Sequence, residues 1–356
     1  MQHRQPPRTP GAAASLYAAV CALALALLAT ACGREEQPAA AQREVVVYTA
    51  LDREYSEPIF DLFQQRTGIT VRPVYDSEAV KTVGLVNRLI AERNRPAADV
   101  FWNNEIVRSI QLAREGLVEP YRSHSAADIP AAFKDPQGFW TGFAARARVF
   151  IVPAEMPEAE LPARLEDLAD PARTDSRAFA KPLFGTTNTH AAVICAAAGE
   201  AGLRAYMANL LANAVMLPGN GQVRDAVVAG EVRWGLTDTD DAHSAIEDGA
   251  AVRIVYPKGG PEGEGALLIP NTVVLMKGGP NPAEGRELID FLLSREVETL
   301  LAASRSAQMP VREGIPFPPG LPPLAPGDVL AVDWDSVYDK LATAQSVLVE
   351  MLPSER

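Results

Sequence analysis

Three times between residues 45 and 116, a short apolar run rich in β-branched or aromatic residues passes through a polar turn into an amphipathic segment, and this alternation decides the fold class. Residues 45–50, Val-Val-Val-Tyr-Thr-Ala, predict a buried parallel strand, and residues 55–67 a helix with Ile59, Leu62 and Phe63 on one face and Gly68 as its stop. Residues 69–75 and 98–102 predict the next two strands. Residues 78–94, striped by Val83, Val86, Leu89 and Ile90, and residues 106–115, closed by Gly116, predict the next two helices. Such spacing specifies an α/β fold with a mostly parallel sheet flanked by helices. Ligands of these folds sit beyond the carboxyl ends of the strands. Asp52 and the pair Asn104-Glu105 occupy those turns, where each is equally suited to cap the following helix.

The second part of the chain repeats the pattern around a longer strand. Residues 139–152 are apolar and extended, with Arg146 and Arg148 on one face at period two, and are expected to make the first crossing between two lobes. Two guanidinium groups side by side in an apolar strand require an anion, or carboxylates of the chain itself, opposite them. Residues 182–184 predict a strand, and Gly185-Thr186-Thr187-Asn188-Thr189-His190 leads from it into a helix over 191–198. A turn of glycine and hydroxyls at a helix start offers free N–H groups and the positive dipole end to a small anion. His190 at that place reads first as a hydrogen-bonded structural group. Further helices are predicted over 203–212 and 223–229, the latter opened by Asn220, and strands over 252–256 and 266–276. The second of these strands is expected to return to the first lobe, with Pro270-Asn271-Thr272 bordering the cleft. The glycine-rich loop 257–265 reads as flexible, residues 315–326 with six prolines as an extended strap, and 282–293, 296–303 and 332–352 as the remaining helices.

The most informative stretch is Thr237-Asp238-Thr239-Asp240-Asp241, between the apolar run 232–236 and a helix starting at Ala242. Capping needs one such residue. Three carboxylates within four positions repel one another unless a cation or an amine sits among them, so the stretch is read as a ligand site.

With 33 Lys and Arg against 45 Asp and Glu, the net charge of −12 speaks against binding a phosphate backbone, and nucleic acid is not an expected partner. Arg4 and Arg8 followed by the apolar run 12–28 read as a targeting segment over residues 1–32. That run is short for a spanning helix. It ends in Ala29-Thr30-Ala31-Cys32, which resembles a lipobox; lipidation of Cys32 is expected, with simple cleavage near Ala31 as the alternative. Residues 33–43 read as a flexible tether. Cys21 falls in the leader and Cys195 stands among alanines, a small buried apolar residue, so no disulfide is expected. The organisation expected is therefore 44–147 for the first part of lobe 1, 148–262 for lobe 2, and 263–356 for the return to lobe 1 and the C-terminal helices.

The order of several local patterns resembles the periplasmic ferric-iron-binding proteins and their relatives, two-lobed type II binding proteins that serve ABC importers. The likeness rests on the Val-Tyr opening strand, Thr67-Gly68-Ile69, Pro96-Ala97-Ala98-Asp99-Val100-Phe101, Gly116-Leu117-Val118-Glu119-Pro120, Arg146-Ala147-Arg148, and residues 226–231 leading to the acidic stretch. It implies a lipid-anchored, extracytoplasmic monomer that closes on a small solute and hands it to a membrane permease and its ATPase. No tightly bound cofactor is implied, and Fe(III) or another metal would be the cargo. In the iron binders a His or similar residue in the first turn, a Glu after the third strand and two adjacent tyrosines hold the metal, with a small anion completing the shell. Here those positions fall on Asp52, on Asn104 with Glu105, and on Asp240 and Asp241, so the tyrosine dyad is absent. The anion-holding parts correspond to Thr186, Thr187, Asn188, Thr189, Asn220, Asp238, Arg146 and Arg148.

The solute implied is a metal with a synergistic anion; a small zwitterion or anion such as a phosphonate or an amino acid fits the same residues. A metal-dependent hydrolase using Asp238, Asp240 and Asp241 with His190 as base is the rival from another class. It lacks a GxSxG or HExxH motif or any paired nucleophile and base, so no catalytic residue is expected. A lobe pair that signals to a membrane receptor is a third reading.

Overall fold

The computed structural model describes residues 43–75 and 83–352. The expected leader, Cys32, nearly all of the tether and the first residues of the helix expected from residue 78 lie outside the described residues. Among the described residues no helix is long and apolar enough to cross a membrane.

The first half follows the alternation closely: β1 (Glu44–Thr49), α1 (Arg53–Thr67), β2 (Thr70–Tyr75), α2 (Val83–Ala91), β3 (Val100–Asn103), α3 (Ile106–Arg114) and the short β4 (Val118–Glu119). Gly68 ends α1 in the left-handed conformation, φ 70°, and its N–H returns to the carbonyl of Gln64. The face α1 buries is Ile59, Phe60 and Phe63; Phe60 packs edge-on to Trp102 of β3 at 5.7 Å, and Leu62 stays half-buried.

The second half comprises β5 (Thr141–Pro153), α4 (Glu166–Ala169), β6 (Arg177–Ala180), α5 (Gly185–Asn213), β7 (Val215–Leu217), α6 (Asn220–Val228), β8 (Trp234–Asp238), α7 (Thr239–Glu247), β9 (Val252–Val255), the hairpin β10 (Gly259–Gly260) and β11 (Gly263–Glu264), and β12 (Leu268–Met276). The helices α8 (Pro282–Leu292), α9 (Arg295–Ala303) and α10 (Trp334–Met351) complete the chain.

Three expectations change here. Residues 182–184 form a turn before α5 rather than a strand, because the strand ends at Ala180 and Pro182 has no N–H for a ladder. The turn 185–190 already forms the first turns of α5, which breaks at Gly199 (φ 72°, ψ 176°), in the gap between the two helices expected over 191–198 and 203–212. The glycine-rich loop pairs with itself as β10 and β11.

Ten of the described strands form one sheet in the order β2-β1-β3-β12-β5-β8-β6-β7, with β4 added to β12 and β9 to β5, while β10 and β11 pair apart from it. β1, β2 and β3 are parallel, as are β6, β7 and β8, while β5 and β12 run antiparallel to their neighbours. The sheet is mixed, and both strands that join its halves are the antiparallel ones. Up to Ala147, β5 pairs with β12; beyond it β5 pairs with β8 and β9.

A few residues before the change of partner the ladder is irregular. Ala144 has φ 43°, and the register with β12 shifts between Pro270 and Asn271. A buried Glu298 from α9 accepts the N–H groups of Ala144 (2.9 Å) and Val311 (2.8 Å), and Ala145 exchanges two backbone hydrogen bonds of 2.7 Å with Met309. The irregular backbone is thereby fully paired.

One apolar cluster runs through both halves, from Phe101 and Ile110 to Phe150, Phe179 and Trp234, because α10 lies against both α3 and α5. Trp234 meets Phe150 edge-on at 5.2 Å. Each such ring contributes about 2–3 kcal/mol over leaving it in water.

Candidate functional site

The acidic stretch ends β8 and begins α7, and its register decides what it can do. β5 and β8 are antiparallel with Arg148 directly opposite Asp238, so the two side chains emerge as neighbours on one face. Both are buried. Asp238 holds the N-cap position of α7, yet its carboxylate makes no capping bond. Its Oδ1 accepts Arg148 Nη1 at 2.6 Å, and its Oδ2 accepts Thr186 Oγ1 at 2.6 Å and Asn220 Nδ2 at 3.0 Å. Arg146 Nη1 stands 3.6 Å from Oδ2.

The other two aspartates are differently placed. Asp240, a quarter exposed, accepts Arg146 Nη1 at 3.1 Å. Asp241 makes no ion pair among the described residues, Arg146 and Arg224 acting on it only through their charge, and its Oδ2 lies 3.2 Å from the hydroxyl of Thr237. One oxygen of each aspartate lies within 4.8 Å of the others, close enough to share a single cation. Arg146 and Arg148 are therefore paired with Asp238 and Asp240, and the third carboxylate is left to the more distant charges of Arg146 and Arg224.

The electrostatics follow from this pairing. Burial opposes ionisation of Asp238, but the charges of Arg148 and Arg146 outweigh it and hold the carboxyl below the usual range. Burial raises Asp240, and the charge of Asp238 adds to it against the pull of Arg146. Asp241 is pushed up to about 8, by burial first and then by Asp240 and Asp238, against the weaker pull of Arg146 and Arg224. For Arg146, burial lowers the value and the charges of Asp240 and Asp238 more than restore it, so it stays charged.

From the first half of the chain, Arg146 Nη2 donates to the carbonyl of Asn104 at 2.8 Å while Nη1 holds Asp240, so one guanidinium touches both walls. The Asn104 amide in turn donates to the carbonyl of Ala50. Glu105 caps α3 through the N–H groups of Val107 (2.6 Å) and Arg108 (3.3 Å), and it also accepts Thr189 Oγ1 across the sheet at 2.9 Å. Burial pushes this carboxyl up, with Arg108 and Thr189 opposing. Asp52 stands at the N-cap of α1 without a side-chain capping bond.

The structure brings together Asn104, Glu105, Arg146, Arg148, Thr186, Thr189, Asn220, Asp238, Asp240 and Asp241. Thr187 joins them loosely, its Oγ1 3.4 Å from Asn220 Oδ1. Two expected residues turn away. Asn188 is buried and donates to the carbonyl of Pro182 at 3.1 Å, bracing the turn before α5. Asn271 does not border a cleft: it is fully buried, donating to the carbonyl of Ala144 and to Gln308 Oε1 (2.7 Å), because the irregular crossing needs its amide. His190 lies below the helix start, its Nε2 3.2 Å from Glu262 Oε1.

Sequence reasoning missed Tyr55 and Glu298. The hydroxyl of Tyr55 is raised by burial, then by Glu54, Asp240 and Asp52, which places it in the field of the acidic cluster. For Glu298 the signal was present: an acid on the same face as Val297 and Leu301 in an amphipathic helix.

Residues 99–340 match the model of the family described as bacterial extracellular solute-binding protein. The chain belongs to that family. This solute-binding protein is 26% identical to the Fe(3+)-binding periplasmic protein of Serratia marcescens over 304 residues, 83% of this chain and 87% of the relative. It is 28% identical over 269 residues to the putative 2-aminoethylphosphonate-binding periplasmic protein of Salmonella typhimurium, 74% and 76% of the two chains. An iron-bound crystal structure from Pseudomonas aeruginosa superposes with a TM-score of 0.77 at 24% identity over 86% of this chain and 99% of that one. Apo ferric ion-binding protein A of Pasteurella haemolytica gives 0.75 at 23%, over 86% and 97%. At these identities the solved structures establish the fold, two-lobed type II. The protein binds a solute and is not an enzyme, it acts outside the cytoplasm, and its family implies an ABC permease and ATPase as partners.

Proposed function

We propose that this protein captures a small solute with a positive centre between its lobes and delivers it to an ABC importer, and that a metal ion, Fe(III) or another hard cation, is the cargo. The observation that carries this is Asp241: a carboxylate in no ion pair among the described residues, within reach of Asp238 and Asp240 and pushed up to about 8. A cation beside it relieves that repulsion, and hard carboxylate oxygens suit such an ion. The relatives named for ferric iron support the reading. Lobe 1 would consist of residues 44–147 and the return from 263, lobe 2 of residues 148–262, with closure favoured by contacts the solute makes only in the closed form. Lipidation at Cys32 would hold the protein at the membrane face.

A second reading, a zwitterionic amine such as an aminophosphonate, rests on the buried N–H groups of Arg146 (Nε) and Arg148 (Nε and Nη2), which have no partner among the described residues and suit an anionic end. The relative named for 2-aminoethylphosphonate agrees with it.

The test is a thermal-shift screen of the stripped soluble form against metals with and without phosphate or carbonate, against phosphonates and against amino acids. Ligand at 100 times its Kd stabilises by about 2.7 kcal/mol. The double substitution Asp240→Ala, Asp241→Ala is expected to abolish the response while leaving the unliganded melting point unchanged or higher. A full response from the double variant would place the solute elsewhere.

A further inference from the structure

The resemblance implies that threonines at a helix start, a polar amide and the arginine strand hold a small anion supplied with the metal. In this chain the same groups already hold a carboxylate. Arg148 Nη1 at 2.6 Å, Thr186 Oγ1 at 2.6 Å and Asn220 Nδ2 at 3.0 Å converge on Asp238, with Arg146 Nη1 at 3.6 Å. These donors come from β5, α5 and α6, three separate elements. They are also oriented toward one another, since Arg148 Nη1 lies 3.1 Å from Asn220 Oδ1 and Asn220 Nδ2 lies 3.0 Å from Thr186 Oγ1.

Asp238 does no other evident work. It stands at the N-cap of α7 but bonds none of that helix's N–H groups. It is 1% exposed, so its carboxylate is no solvated surface charge. Buried carboxylates need such a set of donors, and a free anion in the same place would need the same set.

We propose that Asp238 is a tethered anion: it fills the anion subsite from within the chain, so that the solute's positive centre binds beside it on Asp240 and Asp241 without a co-bound phosphate or carbonate. This rests on the reading of the cleft as a cation site. Tethering removes the entropic cost of recruiting a separate ion, and it makes capture independent of the anions in the medium. It also sets a condition on the aminophosphonate reading, because a phosphonate would have to displace Asp238 or use only the remaining arginine N–H groups.

The experiment has two arms, each on the full soluble chain. In the first, inorganic phosphate alone is titrated into the wild type and into Asp238→Ala, followed by melting temperature and calorimetry. The wild type is expected to show no binding, and the variant saturable binding with a rise in melting temperature, because three donors have lost their carboxylate. Equal binding by both, or a folded variant that ignores phosphate, overturns the proposal. Asp238→Asn, closer in shape, serves if the alanine variant does not fold, with the same outcomes.

In the second arm Mn2+ chloride is titrated with and without phosphate. The wild-type Kd is expected to be unchanged by phosphate, whereas the variant should gain roughly 5–150-fold, the span typical of two coupled sites. A phosphate-dependent wild type overturns the tethered anion. Should Mn2+ fail to bind under any condition, Mn2+ falls as the cargo, and the phosphate comparison still decides the role of Asp238.

Discussion

Substituting Asp241 by Asn removes one negative charge from a cluster of three while keeping the shape of the side chain and an oxygen for the Thr237 hydroxyl. Its effect can be worked from the site. The Asp241 carboxyl is pushed from 3.8 to about 8, chiefly by burial and then by Asp240 and Asp238. The folded state therefore holds a proton over this window that the unfolded chain has released. Folded-state stability is greatest below the unfolded value and falls as pH rises toward the folded one, by about 1.4 kcal/mol per pH unit. Over the full window this amounts to about 6 kcal/mol as an upper bound, and about half of that once neighbouring side chains and solvent adjust. A chain of roughly 300 ordered residues unfolds with an entropy of about 0.6 kcal/mol per kelvin, so Asp241→Asn should melt about 5 °C above the wild type at pH 8 and level with it near pH 4. The assay is thermal denaturation of both proteins, stripped of solute, at intervals from pH 4 to 9. A variant less stable than the wild type at pH 8, or a difference independent of pH, would refute the reasoning and give Asp241 an ordinary capping role.

Two further outcomes follow from the same geometry. Glu298→Ala leaves the buried N–H groups of Ala144 and Val311 without an acceptor and should destabilise the protein by about 2–5 kcal/mol, visible as a lower urea midpoint. Thr189→Val removes the hydroxyl that reaches Glu105 from the other half at 2.9 Å; a loss of about 1 kcal/mol and a larger solute-free radius of gyration in X-ray scattering are expected, while an unchanged radius would show that this bond does not hold the lobes together.

The alternation of strands and helices was legible because its signals are local. Apolar period, β-branching and a glycine stop act over a few residues, so β1, α1, β2, β3 and α3 lie within a residue or two of expectation. The turn 182–184 and the helical start at Gly185 were not legible, since Pro182 and Gly185 permit several continuations and packing chooses among them, whereas the break at Gly199 falls between the two helices expected there. Asn271 shows the same limit: an amide after a proline reads as cleft border, yet the shifted register at Ala144 draws it inward.

The acidic stretch and the paired arginines were each visible in the chain, and each posed an open question about its counter-charge. Sequence fixed how many charges there are and how closely they are spaced, because those are properties of neighbours along the backbone. Only the tertiary structure decided which carboxylate is spoken for. Arg148 and Asp238 are 90 positions apart and meet because β5 and β8 pair in one register, which leaves Asp241 without an ion pair among the described residues. A shift of that register by one residue would turn the arginine to the opposite face and reassign every charge in the cleft.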